Sequence, residues 1–155
     1  MTHSTRCACL ITFSVLSLAL SVWADEKPTL AFYVVSLKKI EGGRFIDTKE
    51  FPKLGYIPTK PGLGIAELEK ASLTKRPGDR PTILITLKKE QADQLADFTS
   101  RNVDRQILLM LGNEPLIAPR IAEKIRTPAL QISVSDETKR KQILQKLRQL
   151  VRINH

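Results

Sequence analysis

Side chains with the chemistry for catalysis are few in this 155-residue chain, and most of them stand at its ends. The two histidines are His3 and His155, and the two cysteines are Cys7 and Cys9. A serine or cysteine nucleophile relayed by histidine needs an imidazole held firmly within hydrogen-bond reach. His155 is the last residue of the sequence, where side chains fray, so neither arrangement is supported. A zinc site built on histidine and thiolate fails for the same reason. The Gly62-Leu63-Gly64 stretch lacks the third glycine and the long preceding strand of a phosphate-cradling loop. Asp and Glu total 16, scattered without a spacing that points to an acid and base pair of the glycosidase type. The reading is a protein that is not an enzyme, with no catalytic, metal or cofactor site.

His3 and both cysteines fall in a stretch unlike the rest of the chain. Arg6 is its only charge, an uncharged apolar run follows from Cys9 to Leu20, and Val22-Trp23-Ala24 offers small residues at a cleavage site. That pattern is an export leader over residues 1–24, cut between Ala24 and Asp25. An anchor left uncut in the inner membrane is the alternative, although a span needs roughly 20 apolar residues. Cleavage would leave 131 residues with no cysteine, 24 basic and 16 acidic side chains, and a formal charge of +8. Without disulfides, stability has to come from a packed core.

The elements that would hold that core can be read from periodicity. Residues 29–37 are rich in aromatic and β-branched side chains and apolar on both alternating faces, as a central strand would be. Gly42-Gly43 marks a turn. Pro52, Pro58 and Pro61 limit residues 44–61 to short strands and loops. Residues 63–73 suit a short strand or a turn of helix, and 76–81 an exposed turn. Thr82 to Leu87 is a strand. Ala92, Leu95, Ala96, Thr99 and Val103 recur at helical spacing over 89–103.

Residues 105–111 form a strand that turns at Gly112-Asn113 into 114–118, a hairpin. Pro115 cannot donate to a ladder, so its strand belongs at an edge or at a bulge. Residues 130–134 alternate as another strand. Ser135 or Asp136 caps a last helix with Ile143, Leu144, Leu147, Leu150 and Val151 on one face. The order of elements predicts an α+β two-layer sandwich: a mostly antiparallel sheet with two main helices on one face. Residues 25–80 supply N-terminal strands and loops, and 81–155 the α+β core.

The basic surplus favours anionic partners. Residues 136–152 carry six basic and two acidic side chains, and Lys141, Arg148 and Arg152 lie opposite the apolar face of the last helix. Basic residues near a helix C-terminus are stabilising in themselves. The functional alternative is a contact for anionic lipid or cell-wall polymer. Five phenylalanines, two tyrosines and one tryptophan, the last in the leader, give little to stack single-stranded nucleic acid, which is excluded as a partner.

One ordered set of residues resembles a known family. The run Pro81 to Leu87 precedes Ala92 through Thr99 and Asn102, then Ile107 to Gly112, and then Ala118-Pro119 before further apolar residues. This is similar to the head part of the first periplasmic domain of SecD, a subunit of the bacterial protein translocase. The likeness covers residues 81–150 well and 29–73 loosely. Thr99, Asn102, Gly112, Ala118 and Pro119 are its motif positions, each with a structural task in a helix end or turn. Lys88, Pro115 and Thr127-Pro128 depart from the pattern. The resemblance implies a periplasmic module that engages exported polypeptide or a translocase-like partner, with an exposed hairpin edge near Pro115 as the contact. A cationic protein of the envelope surface is the competing expectation.

Overall fold

A computed structural model describes residues 28–75 and 80–151. The leader, the Ala24–Asp25 junction, Arg152 and His155 lie outside the described residues, as does most of the turn expected at 76–81. Eleven elements follow in order: β1 (Leu30–Val34), β2 (Arg44–Ile46), β3 (Gly55–Ile57), β4 (Leu63–Ile65), β5 (Lys70–Thr74), β6 (Thr82–Thr86), α1 (Lys89–Arg101), β7 (Ile107–Leu111), β8 (Glu114–Ile117), β9 (Ala129–Ile132) and α2 (Glu137–Arg148). The class is α+β with antiparallel sheets, as expected. The strands divide among three sheets, in the orders β4-β1-β7-β8, β2-β3 and β5-β6-β9.

Strands apolar on both faces occupy the middle of the largest sheet. β1 pairs with β4 on one side and β7 on the other, and all five residues of β7 are buried. One face of this pair presents Leu30, Phe32, Ile107, Leu109 and Leu111 to the main core. The opposite face turns Leu108 and Met110 toward Ile46 and Ile57, supplied by β2 and β3. The small β2-β3 ribbon thereby covers what would otherwise be an apolar sheet face, which antiparallel sheets leave to water only when it is polar.

The main core is closed by both helices and by one face of the third sheet. Ile83, Ile85 and Ile132 meet Leu95 and Phe98 of α1 and Ile143, Leu144 and Leu147 of α2. Residues on either side of position 80 contribute to that one core. The stretch 63–73 resolves into two strands because β4 joins the distant β1 while β5 pairs with the strand that follows it, β6. Ile65 pairs with Leu30, and Ala71 with Ile85.

The first helix differs from its expected stripe at the end. It stops at Arg101, leaving Val103 40% exposed, and Phe98 takes the inner position instead. Two observations explain the stop. The Asn102 side chain donates to the Phe98 carbonyl at 2.8 Å, and Asp104 turns the backbone with φ 63°. Phe98 fits because Gly62 lies against its ring. A Cβ there would stand 2.5 Å from the ring's Cε2, so the glycine serves close packing.

Candidate functional site

The motif positions at the end of α1 form a hydrogen-bonded joint. Thr99 is fully buried. Its hydroxyl donates to the Leu95 carbonyl at 2.8 Å and accepts from the Ile125 amide at 3.0 Å. One side chain thus ties the helix to the loop 119–128, which leads into β9. Gly112, with φ 58°, makes the β7-β8 turn. The Ala118 carbonyl accepts from the Gln106 side chain at 3.1 Å, and the Pro119 carbonyl from the Ile107 amide at 2.9 Å. At Lys88 the Gln91 side chain accepts from the backbone amide at 3.2 Å, half of a capping box.

Thr99→Val keeps the shape of that joint and removes the hydroxyl. The Ile125 amide, half-buried in an otherwise largely exposed loop, then loses its acceptor, at a cost of about 1–2 kcal/mol. Urea denaturation should report the loss, and amide exchange at Ile125 should accelerate. Unchanged stability would show that the loop finds another acceptor.

The basic helix is less free than its composition suggests. Asp136 caps α2 by accepting from the Lys139 amide at 2.6 Å. The Lys139 ammonium pairs with Glu50, and that of Lys146 with Glu114 at 2.8 Å. Arg140 is buried and donates to the Val134 carbonyl at 2.9 Å. Lys141 pairs with Glu137 one turn away at 2.7 Å. Its hydrogen bond and positive charge, with Arg140 nearby, hold the Glu137 carboxyl below the usual carboxylate range. Arg148 is exposed and has no ion pair among the described residues. Two of the three cations expected to form a contact are therefore on the helix, one already paired, and the third lies outside the described residues.

The sheets end in edges of unequal quality. β8 is the edge of the four-stranded sheet, and its register with β7 shifts between Leu109 and Met110, with Met110 opposite Pro115. A missing N–H and a bulge both blunt an edge against strand addition. β9 is one edge of the three-stranded sheet, with β5 at the other, and carries neither device. The Leu87 amide donates to the Pro128 carbonyl at 2.8 Å, and Ile85 pairs with Leu130. By the alternation of an antiparallel ladder, the backbone of Gln131 points away from β6. Gln131 is exposed, and no described residue outside the sheet bonds to its backbone.

Two of the surface grooves lie against these sheets. One, of about 580 Å³, lies on the outer side of the three-stranded sheet against Leu84, Thr82, Gln131 and Ser133. The other, of about 730 Å³, lies at the end of the four-stranded sheet between Leu37, Ile40, Pro58 and the turn around Arg105. Among the described residues, no group of three or more His, Cys, Asp or Glu could hold a metal ion. No described helix is long and apolar enough to cross a membrane.

This arrangement of strands and helices has relatives. A stretch of 73 residues, 47% of the chain, is 32% identical to the protein translocase subunit SecD of Acidaminococcus fermentans. The structure of SecDF, described as a membrane component that enhances protein export, superposes with a TM-score of 0.60 at 21% identity, over 79% of this chain and 63% of that one. By sequence and by fold, the chain resembles the SecD/SecDF periplasmic domain. The SecDF structure from Thermus thermophilus, a translocon-associated membrane protein, superposes with a TM-score of 0.52 at 20% identity, over 80% of this chain and 19% of that one. The chain spans 18% of the length of the SecD relative, so the likeness is to one part of a larger protein. No family model matches the chain.

Proposed function

We propose that the protein is a non-enzymatic module of the bacterial envelope that engages extended stretches of exported polypeptide. The observation that carries this reading is the open β9 edge, taken together with the likeness to SecD. An extended chain adds to such an edge through its own backbone groups, which suits partners of varied sequence. The contact expected near Pro115 moves to β9 because the bulged, proline-bearing β8 is the poorer template. The cationic alternative receives less support, since four of the five described cations of α2 already have partners within the chain.

The test is Gln131→Pro. Its amide faces outward, so proline leaves the β6 ladder intact while removing a donor from the edge. Binding of a labelled, chemically unfolded polypeptide should weaken about tenfold relative to Gln131→Ser, at unchanged fold by circular dichroism. Equal binding by both variants would reject β9 as the contact. No binding of unfolded polypeptide by the unaltered protein would reject the function itself.

A further inference from the structure

The groove at the end of the four-stranded sheet is chemically unlike the β9 edge. Its apolar lining comes from Val34, Val35, Ile40 and Pro58, with Leu37 at the border. Leu37 is 85% exposed, the most exposed large apolar side chain among the described residues. A single exposed leucine is ordinary. Here it borders a concave apolar surface, and that continuity is the feature of a binding patch.

The position of this surface follows from hydrogen bonds around β1. Past its last residue, Val35 donates to the Gln106 carbonyl at 2.9 Å, and Ser36 exchanges backbone bonds with Tyr56 at 2.8 and 2.7 Å. The segment that carries Leu37 is therefore held on both sides. Leu37 follows the held residues Val35 and Ser36 directly, in an exposed bend.

Positive charge surrounds the floor. Arg105 and Arg120 line the groove with Asp104, and Lys38 and Lys39 are exposed between Leu37 and Ile40. Glu41 is the other acidic neighbour in sequence. The Arg120–Asp104 pair spans 3.8 Å with both side chains more than two-thirds exposed, the kind of pair that contributes little and exchanges readily. Arg105, Lys38 and Lys39 have no ion pair among the described residues, by the same criterion that finds the pairs of α2. The local balance is two positive charges in excess.

We infer that this groove takes an acidic polypeptide segment, one that lays a large apolar side chain beside Leu37 and sets carboxylates against Arg105 and Arg120. The apolar floor supplies contact area, and the cations select by charge, since like charges brought together are penalised. This extends the proposed function to a second surface and stands separately from the β9 edge.

Three labelled peptides with one leucine-rich centre, flanked by glutamate, glutamine or lysine, provide the test by fluorescence anisotropy at physiological ionic strength. The glutamate peptide should bind about tenfold more tightly than the lysine peptide. Leu37→Ser should weaken all three, and Arg105→Glu with Arg120→Glu should reverse the order of the glutamate and lysine peptides. Both sets of positions are exposed, so the fold should persist. Gln131→Pro should leave the ranking intact. Equal affinities for the three peptides, or a ranking unmoved by the charge reversal, would overturn the inference while leaving the β9 reading untouched. Preferential binding to phosphatidylglycerol vesicles with no peptide binding would overturn it in favour of a lipid contact.

Discussion

Leu147→Ala is expected to remove about 2–5 kcal/mol of folding free energy. Leu147 is fully buried in the main core among residues from two sheets and both helices. A helix of 12 residues is marginal alone in water, so α2 exists because its apolar face is docked. The turn that follows the helix also contacts a distant segment. The Leu150 carbonyl accepts from the Leu68 amide at 2.8 Å, and Leu68 bridges to Val151. A cavity at 147 therefore loosens both the core and the connection between β4 and β5. Urea denaturation should show a lower midpoint at unchanged slope. Lys141→Gln, at a 69% exposed side chain paired within the helix, should cost about 0.3–0.5 kcal/mol. Similar losses from the two variants would refute the account of how α2 is held.

What could be read from the sequence follows from where each signal originates. Central strands announce themselves locally, because burial of both faces leaves a continuous apolar run, as in β7. Pro115 likewise carries its own information, and β8 is both an edge and bulged. The strands β4 and β5 carry little, since their identity lies in partners at Leu30 and Ile85. Leu73 even faces water at 46% exposure. Val103 was placed on the stripe by spacing, but spacing does not register that Asn102 ends the helix.

The candidate sites were less legible than the fold. Composition counts the cations of α2 but does not reveal that Glu50 and Glu114 neutralise two of them across 89 and 32 residues. The groove beside Leu37 joins residues from the end of β1, the stretch before β2, Pro58 just after β3, the turn before β7 and Arg120 beyond β8. Each is unremarkable in its own stretch. The bridge between Gln106 and Arg120 brings the Arg105 and Arg120 segments together, and Lys38 and Lys39 add the charge that makes the surface cationic.

Gly55→Ala is the backbone counterpart of the Leu147 prediction, and its expected cost is about 2–4 kcal/mol. Gly55 opens β3 opposite Ile46 with φ 130°, a conformation that side chains rarely allow. A Cβ would stand 2.7 Å from the Ser36 carbonyl oxygen and 3.0 Å from Val35 Cγ1. That oxygen accepts from the Tyr56 amide at 2.7 Å, so it cannot withdraw without breaking the bond that fastens the β2-β3 ribbon to β1. Strain and collision therefore act on one joint. The consequence should be local first: Ile46 and Ile57 lose their seat over Leu108 and Met110, and the amides of Tyr56 and Ser36 exchange faster. Gly64→Ala provides the comparison, because a Cβ there meets only Thr29 Cγ2 at 3.9 Å and should be tolerated within about 0.5 kcal/mol. Equal stability of the two variants would mean that the ribbon shifts freely on the sheet and that the Ser36–Tyr56 bonds do not fix its position.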